Sequence, residues 1–507
     1  MNVSQETMQL VRESLSKANP PAILEVLQKA GWTQSATATS GITYYSLEAP
    51  SKHLVPFLSP LRNEIPRETG GAGIQAAWRA ITAINSTNVT IGVAEGKRGG
   101  EVTPTTADYL AKFVTLGLET SVTDEAYRAA KNFEDLRATA QTMTLQQFMV
   151  EEERIILGGV GTTALATAAA PTGTLVADST QTGTMTEQAT FCYVVALTLE
   201  GLRQAGGPIN PAISTTAVAT TASRTRTGPY GGTDTVNLGT GIVSAASSSK
   251  TTDATHHAVD WAVASVPGAV AYAWFAGPTN AAGAKLFAIT TVNAVRQLAD
   301  GASTQAANFT GNGTDHTKDA LVFDGILAQA AKSGSNAYIK SLDNAAWTES
   351  GDGTITEFET ALQSMYDNYR IGIDDFWMNS GDHYRFKKHI LSKSGSPTWR
   401  LNVNAGGSIE MIGGSNIVKY ENPYTGQIIN IKTHPYLPQG TAFGYAKSLP
   451  YLGSNVPATF KMDMRIDYYT EEWPRNQRSY EFGIYEDGLL KGYFPPGTMV
   501  FQNIGAS

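Results

Sequence analysis

The chain has 507 residues, a formal net charge of −8, and only 16% charged side chains. That length holds about three or four domains, each able to bury a core, and the acidic balance excludes a global basic field for nucleic acid. A single cysteine, Cys192, excludes an intrachain disulfide framework; inside an apolar strand pattern it reads as buried filler.

The stretch MNVSQETMQLVRESLSKANPP lacks the basic flank, apolar run and cleavage site of a signal peptide. No window of about 18 apolar residues offers a membrane span. The expectation is a soluble protein of a reducing cytoplasm. Residues 4–18 and 21–30 pattern as two short helices around Pro20-Pro21.

RNEIPRETGGAGIQAAWRAIT, residues 62–82, crowds Arg62, Glu64 and Arg67 beside Pro66 and a glycine run. Proline and glycine resist helix, so the segment reads as an extended arm. With no core beneath them, the three charges are expected to form salt bridges to another chain. Period-two alternation then predicts two long strands, roughly 80–93 and 101–118, joined at a tip carrying Lys97 and Arg98. At about 3.3 Å per residue the ribbon reaches about 50 Å. A lone two-stranded ribbon is unstable in water, so it must lie on another surface.

Apolar residues from Ala126 to Ile155 recur at helical spacing and predict one rod, with Thr123 as N-cap and Gly158-Gly159 as the stop. Glu151-Glu152-Glu153 reads as its solvated face. Between two low-complexity stretches, residues 186–298 are all-β. TFCYVVALTLEG places Phe191, Tyr193, Val195, Leu197 and Leu199 on one face, and Trp261, Tyr272 and Trp274 alternate in later strands. This predicts a self-contained β-sandwich inserted into another domain, with the three aromatics in its core rather than on a sugar-stacking platform. TITEFETALQSMYDN and SGDHYRFKKHIL read as helices, YRIGIDDFWMN as a strand, and NPYTGQ as a hairpin tip. The C-terminal part reads as strands with an Asp487-Gly488 turn. The main body is α+β.

The chemistry-bearing motifs fail one by one. GVAEGKRGG is one residue short of a P-loop and precedes a strand, and Gly70–Gly73 lacks a preceding strand. TESGDGTITEFE has Thr348 and Ser350 where a calcium loop needs carboxylates, and reads as a turn into a capped helix. His256-His257 reads as a solvated pair, and no histidine or cysteine cluster has metal spacing. No catalytic, cofactor or metal residue is nominated, and no enzyme is expected.

Taken together, PLRNEIPRETGGAGIQAAWRAIT, DYLAKFVTLGLETSVTDEAYRAAKNFEDLRATA, YVVALTLEG with VDWAVASVPGAVAYAWFAG, IDDFWMNSGDHYRFKKHI and PQGTAFGYAKSLPYLGSNVPATFKMDMRIDYY resemble the major capsid proteins of tailed bacteriophages. The resemblance is to the Hong Kong 97-type fold with an immunoglobulin-like or fibronectin-like insertion. It implies an N-terminal arm (1–66), an extended loop (67–118), a peripheral domain with a spine helix (119–185), the insertion (186–298), the peripheral domain continued (299–378), an axial domain (379–450), and peripheral C-terminal strands (451–507). It further implies self-assembly as hexamers and pentamers into an icosahedral head around double-stranded DNA, bound without sequence specificity. Portal and decoration or scaffolding proteins would be partners, no membrane is involved, and the location is the virion after assembly in the host cytoplasm. Arg62, Glu64, Arg67, Lys97 and Arg98 are then the subunit-contact candidates; Lys97 is well placed for the loop lysine that some relatives cross-link to an asparagine, but no partner asparagine is singled out. The rival reading is a tail or decoration protein whose sandwich recognises a host glycan.

Overall fold

A computed structural model describes residues 9, 52, 54–84, 91–131, 133–206, 212–213, 218, 221–225, 232–278, 283–301, 305–307, 313–350, 354–393, 399–403, 409–413, 419–475 and 477–505. The expected helices at 4–18 and 21–30 lie outside these, apart from Gln9, as do Asp352 and Gly353 of the calcium-like loop. Chain contacts divide the molecule into two compact units, Met1–Val55 with Arg128–Asp135, and Pro56–Tyr127 with Leu136–Ser507. All the sheets belong to the second.

The α-helices placed in full among the described residues are, in chain order, α1 (Pro60–Glu64), α2 (Asp124–Ala129), α3 (Leu136–Gly158), α4 (Leu199–Gln204), α5 (Ile326–Ala331), α6 (Thr356–Tyr369) and α7 (Ser380–Lys393). Two sequence expectations change here. Residues 62–64 are not extended: Pro60, whose fixed φ suits the first helical position, opens a helical turn that ends at Glu64, and the chain is extended again from Ile65. The single rod is also two helices. Thr123 Oγ1 accepts from Ala126 N (3.3 Å), as a cap should, but helix ends at Ala129, and Phe133 N and Glu134 N both donate to Ala130 O in turns. Lys-Asn-Phe-Glu-Asp at 131–135 supplies side chains that compete for backbone hydrogen bonds, which favours a turn over a helix interior.

A four-stranded sheet runs Arg67–Thr69, Phe460–Glu472, Ser479–Gly492, Val114–Thr123, with only the first pair parallel. Helix α3 packs along it. The Asp487-Gly488 turn does not form; Ser479–Gly492 continues through both residues. Gly488 faces Met464 on one neighbour and Val114 on the other, and a Cβ there would strike the Met464 sulfur. The glycine therefore serves close packing rather than chain reversal.

The ribbon is Gln75–Ile84 paired antiparallel with Pro104–Lys112. Its ten-residue strand spans about 33 Å, less than the expected reach. The predicted strand at 101–118 is in fact two, because Phe113 is buried and Val114–Thr123 departs into the four-stranded sheet. Residues 67–69 likewise belong to that sheet, so both roots of the ribbon leave from it.

Two facing sheets occupy most of 186–298. Ala189–Leu197 pairs with Ala271–Gly277, Thr240–Val243 and Lys250–Thr251, and Ala271–Gly277 pairs with Lys285–Thr290. Opposite stands Ala294–Gln297, Ala258–Ala262, Thr172–Val176, so one strand comes from the low-complexity stretch before residue 186. Cys192, Val194, Ala196, Trp261, Tyr272 and Trp274 fill one core. The sandwich is not self-contained. Tyr193, Val195, Leu197, Ala273 and Phe275 project from the other face into a core shared with Ile156, Leu157, Ile326 and Leu327. A strand buried on both faces joins layers instead of hanging from linkers. Leu199, assigned to the strand face by alternation, starts α4 instead.

The remaining lobe is a six-stranded sheet, Tyr338–Ser341, Thr498–Gln502, Ala442–Tyr445, Asp375–Met378, Ile428–Thr433, Lys419–Glu421. Its aromatic-rich core unites Phe358 of α6, Phe386 of α7, Phe376 and Phe501. Asn422–Gln427 connects two of its strands, so NPYTGQ is a hairpin tip. Ahead of α6, Thr348 N donates to Glu357 (3.0 Å), but Ile355 at the N-cap supplies no capping side chain.

Candidate subunit-contact site

Arg62 and Arg67 converge on Glu152, and Glu64 joins a separate cluster, all with partners within their own chain. Helix α1 sits between α3 and the six-stranded lobe, and its charges close onto both. Arg62 Nε lies 3.1 Å from Glu152 Oε2 and donates to Tyr468 Oη at 2.8 Å. Arg67 pairs with Glu152, with Asp467 (2.7 Å) and with Glu486 (3.0 Å). Both guanidiniums lie over the Tyr468 ring, about 5 Å from its centroid. Register shifts between Met464 and Tyr469 bulge this strand, and Asp467 and Tyr468 are presented there. Glu64 pairs with Lys432, with Lys447 (3.5 Å) and with Tyr445, while the buried Asp375 takes Lys432 (3.0 Å) and Lys447 (2.7 Å).

The solvated-face reading of Glu151–Glu153 is overturned. Glu152 and Glu153 are both buried. Glu153 accepts from Leu61 N (2.9 Å), Arg62 N (2.7 Å) and His434 Nε2 (2.7 Å). His434 Nδ1 accepts from Tyr436 N (3.2 Å), so Nε2 carries the proton. Glu151 alone stays partly exposed, pairing with Arg154 and Arg203 beside a groove of about 790 Å³ lined by Leu116, Leu202 and Tyr436. A triple-glutamate run carries no periodicity that separates buried from solvated members, so the sequence held no signal for this network.

Titration follows the geometry. Burial acts to lower the Arg67 pKa, but Glu152 and Asp467 outweigh it and hold the guanidinium above its ordinary value. Burial, then the Glu152 charge, pushes Glu486 up to about 8 against the pull of Arg67. Burial and Glu152 also raise Tyr468. Asp375 is buried, yet hydrogen bonds involving Lys447, Glu64 and Lys432 bring it below the usual carboxylate range.

Lys97 and Arg98 stand elsewhere, exposed at the ribbon tip, with no ion pair among the described residues. They do not join the other three candidates. The ribbon itself is anchored by Trp78, which stacks on Tyr109 (5.8 Å) and meets Tyr493 edge-on (5.7 Å). Beyond that anchor it exposes Ile81 (67%), Ile84 and Ile91 (94%), and on the base side Leu110, opposite Ala77. Gly70 N and Gly71 N both donate to Met464 O, and Gly70 has φ 119°, so the glycine run is the turn by which the chain leaves the sheet.

Trp261, Tyr272 and Trp274 are buried and offer no stacking platform. Their polar atoms are satisfied internally, as in Trp261 Nε1 to Gln297 and Trp274 Nε1 to Thr290. His256 and His257 are bound to Asp253 and Asp178 rather than merely solvated. Among the described residues no group of three histidine, cysteine or acidic side chains is placed to hold a metal, and no helix is long and apolar enough to cross a membrane.

No family model matches the sequence, and no curated protein is significantly similar to it. Solved structures are similar. The capsid of a GTA particle aligns with TM-score 0.41 and 9% identity, over 93% of this chain and 99% of that one. The capsid of cyanophage P-SCSP1u aligns with TM-score 0.39 and 8% identity, over 94% and 100%. That of Myoviridae phage XM1 gives TM-score 0.37 and 8% identity, over 91% and 97%. The chain is a mixed α+β protein similar, over more than nine-tenths of its length, to phage capsid proteins.

Proposed function

We propose that the chain is a structural major capsid protein with the Hong Kong 97-type organisation, assembling with copies of itself as hexamers and pentamers into an icosahedral phage head. The ribbon carries this reading. A two-stranded ribbon that exposes Ile81, Ile84 and Leu110 is unstable alone in water and calls for a foreign surface. In a closed symmetric shell every copy both donates the ribbon and receives one, which makes the contact heterologous and repeatable. Its working place is the virion, after assembly in the host cytoplasm, around double-stranded DNA, with portal and decoration or scaffolding proteins as further partners. The role needs no catalytic centre. Lys97 and Arg98, at the tip, are the candidates to meet the neighbouring copy, whereas Arg62 and Arg67 close onto the sheet at the ribbon's base, and Glu64 onto the six-stranded lobe, within one protomer.

Electron microscopy and light scattering of the purified chain test the reading. Rings or closed shells are expected. A chain that stays monomeric at tens of micromolar, across low and high salt, would overturn it.

A further inference from the structure

Glu486 is the odd charge in the cluster at the ribbon's base. Facing it are Arg67 on Arg67–Thr69, Glu152 on α3, Asp467 and Tyr468 on the neighbouring strand, and Arg62 behind Tyr468. From the strand on its other side it meets Leu116, an apolar residue. Glu153, next along α3, is engaged by Leu61, Arg62 and His434. Asp487 pairs with Arg465 and, by strand alternation, points to the opposite face. Two arginines are thus already matched by Glu152 and Asp467. The third carboxylate, Glu486, has no cation of its own and shares Arg67 through Oε2 (3.0 Å), its side chain is 1% exposed, and its Oε1 has no hydrogen-bond partner among the described residues.

We propose that Glu486 is a proton-operated switch at the root of the ribbon: it holds a proton in the folded protomer, and its ionisation loosens the sheet from which both ribbon strands depart. The neutral acid leaves the two-against-two charge balance intact. The carboxylate adds an unmatched buried charge beside Glu152 and draws Arg67 between three acceptors. Arg67 opens the strand that precedes the ribbon, and Leu116 opposite Glu486 lies in the strand that follows it, so the strain falls on both roots. The sign follows from the raised pKa of about 8. The folded chain keeps a proton that the unfolded chain has lost, so the stabilisation is full at acid pH and is lost as pH rises to about 8. The switch belongs to the single protomer and does not rest on the shell reading.

The test is unfolding of the full-length chain and of Glu486→Gln between pH 5 and 9, with hydrogen exchange followed at 67–73, 75–84 and 104–112. The wild type should lose folding equilibrium by up to about tenfold per pH unit toward pH 8, with faster exchange at those segments. Glu486→Gln should show a flatter profile. Superimposable pH profiles in the two proteins would overturn the proposal. If the variant does not fold, infrared titration of glutamate-labelled wild type decides. A protonated carboxyl signal disappearing near pH 8 supports the switch, and its absence at pH 6 refutes it.

Discussion

Glu153 accepts from two backbone N–H groups of α1 and from His434, with no solvent access. Glu153→Ala leaves all three donors buried and unpaired. We expect a loss of about 3–5 kcal/mol in urea unfolding, against less than about 0.5 kcal/mol for Lys97→Ala at the exposed tip. Similar losses from the two would mean the junction is not a buried clamp. Asp382 offers a second pH window. Burial pushes it up to about 6, against hydrogen bonds from Gly440 N (2.7 Å) and Arg385 (3.1 Å). Its folded pKa lies above the unfolded value, so its stabilisation is full at low pH and fades as pH rises through about 6. Asp382→Asn should make the stability profile shallower between about pH 4 and 6, where Glu486 also contributes, and leave the slope from 6 to 8 that belongs to Glu486 alone. An Asp382→Asn profile with a slope below pH 6 equal to that of the wild type would reject the assignment.

Among the elements, the ribbon and the sheet beneath it divide the work between contact and support. Ile81→Glu with Ile84→Glu changes two exposed side chains on a ribbon with almost no core. The protomer's unfolding midpoint should stay within about 0.5 kcal/mol of wild type while assembly, read by light scattering, fails. Arg67→Glu should do the reverse of a pure contact mutation. It places a carboxylate among Glu152, Asp467 and Glu486, so the protomer itself should lose stability before any question of assembly arises. A folded, wild-type-stable Arg67→Glu protomer would return Arg67 to the subunit-contact role. Alternation made the ribbon legible, but not its break at Phe113, because strands in two different sheets share the same period.

At the scale of the whole molecule, replacing residues 186–298 by a short linker should yield an unfolded or aggregating chain, since Val195, Leu197 and Phe275 share a core with Ile156 and Ile326. The excised segment should also fold poorly, having lost Thr172–Val176 from its smaller sheet. A soluble deletion that still assembles would show that the shared core is dispensable.

The sequence by itself determined what nearest neighbours decide. Strand and helix periods placed the ribbon, α3, α6 and α7 and the aromatic strands of the sandwich, and the failed motifs turned attention to assembly rather than catalysis. Only the tertiary structure decided which charges are buried and which strands share a core. Glu153 meets a backbone donor 92 residues earlier in the chain, and Arg67 meets Glu486 across 419 residues. Nothing in a local pattern encodes such pairings. Burial is a property of what packs above a residue, so Glu151, Glu152 and Glu153 read alike in sequence and take three different environments in the fold.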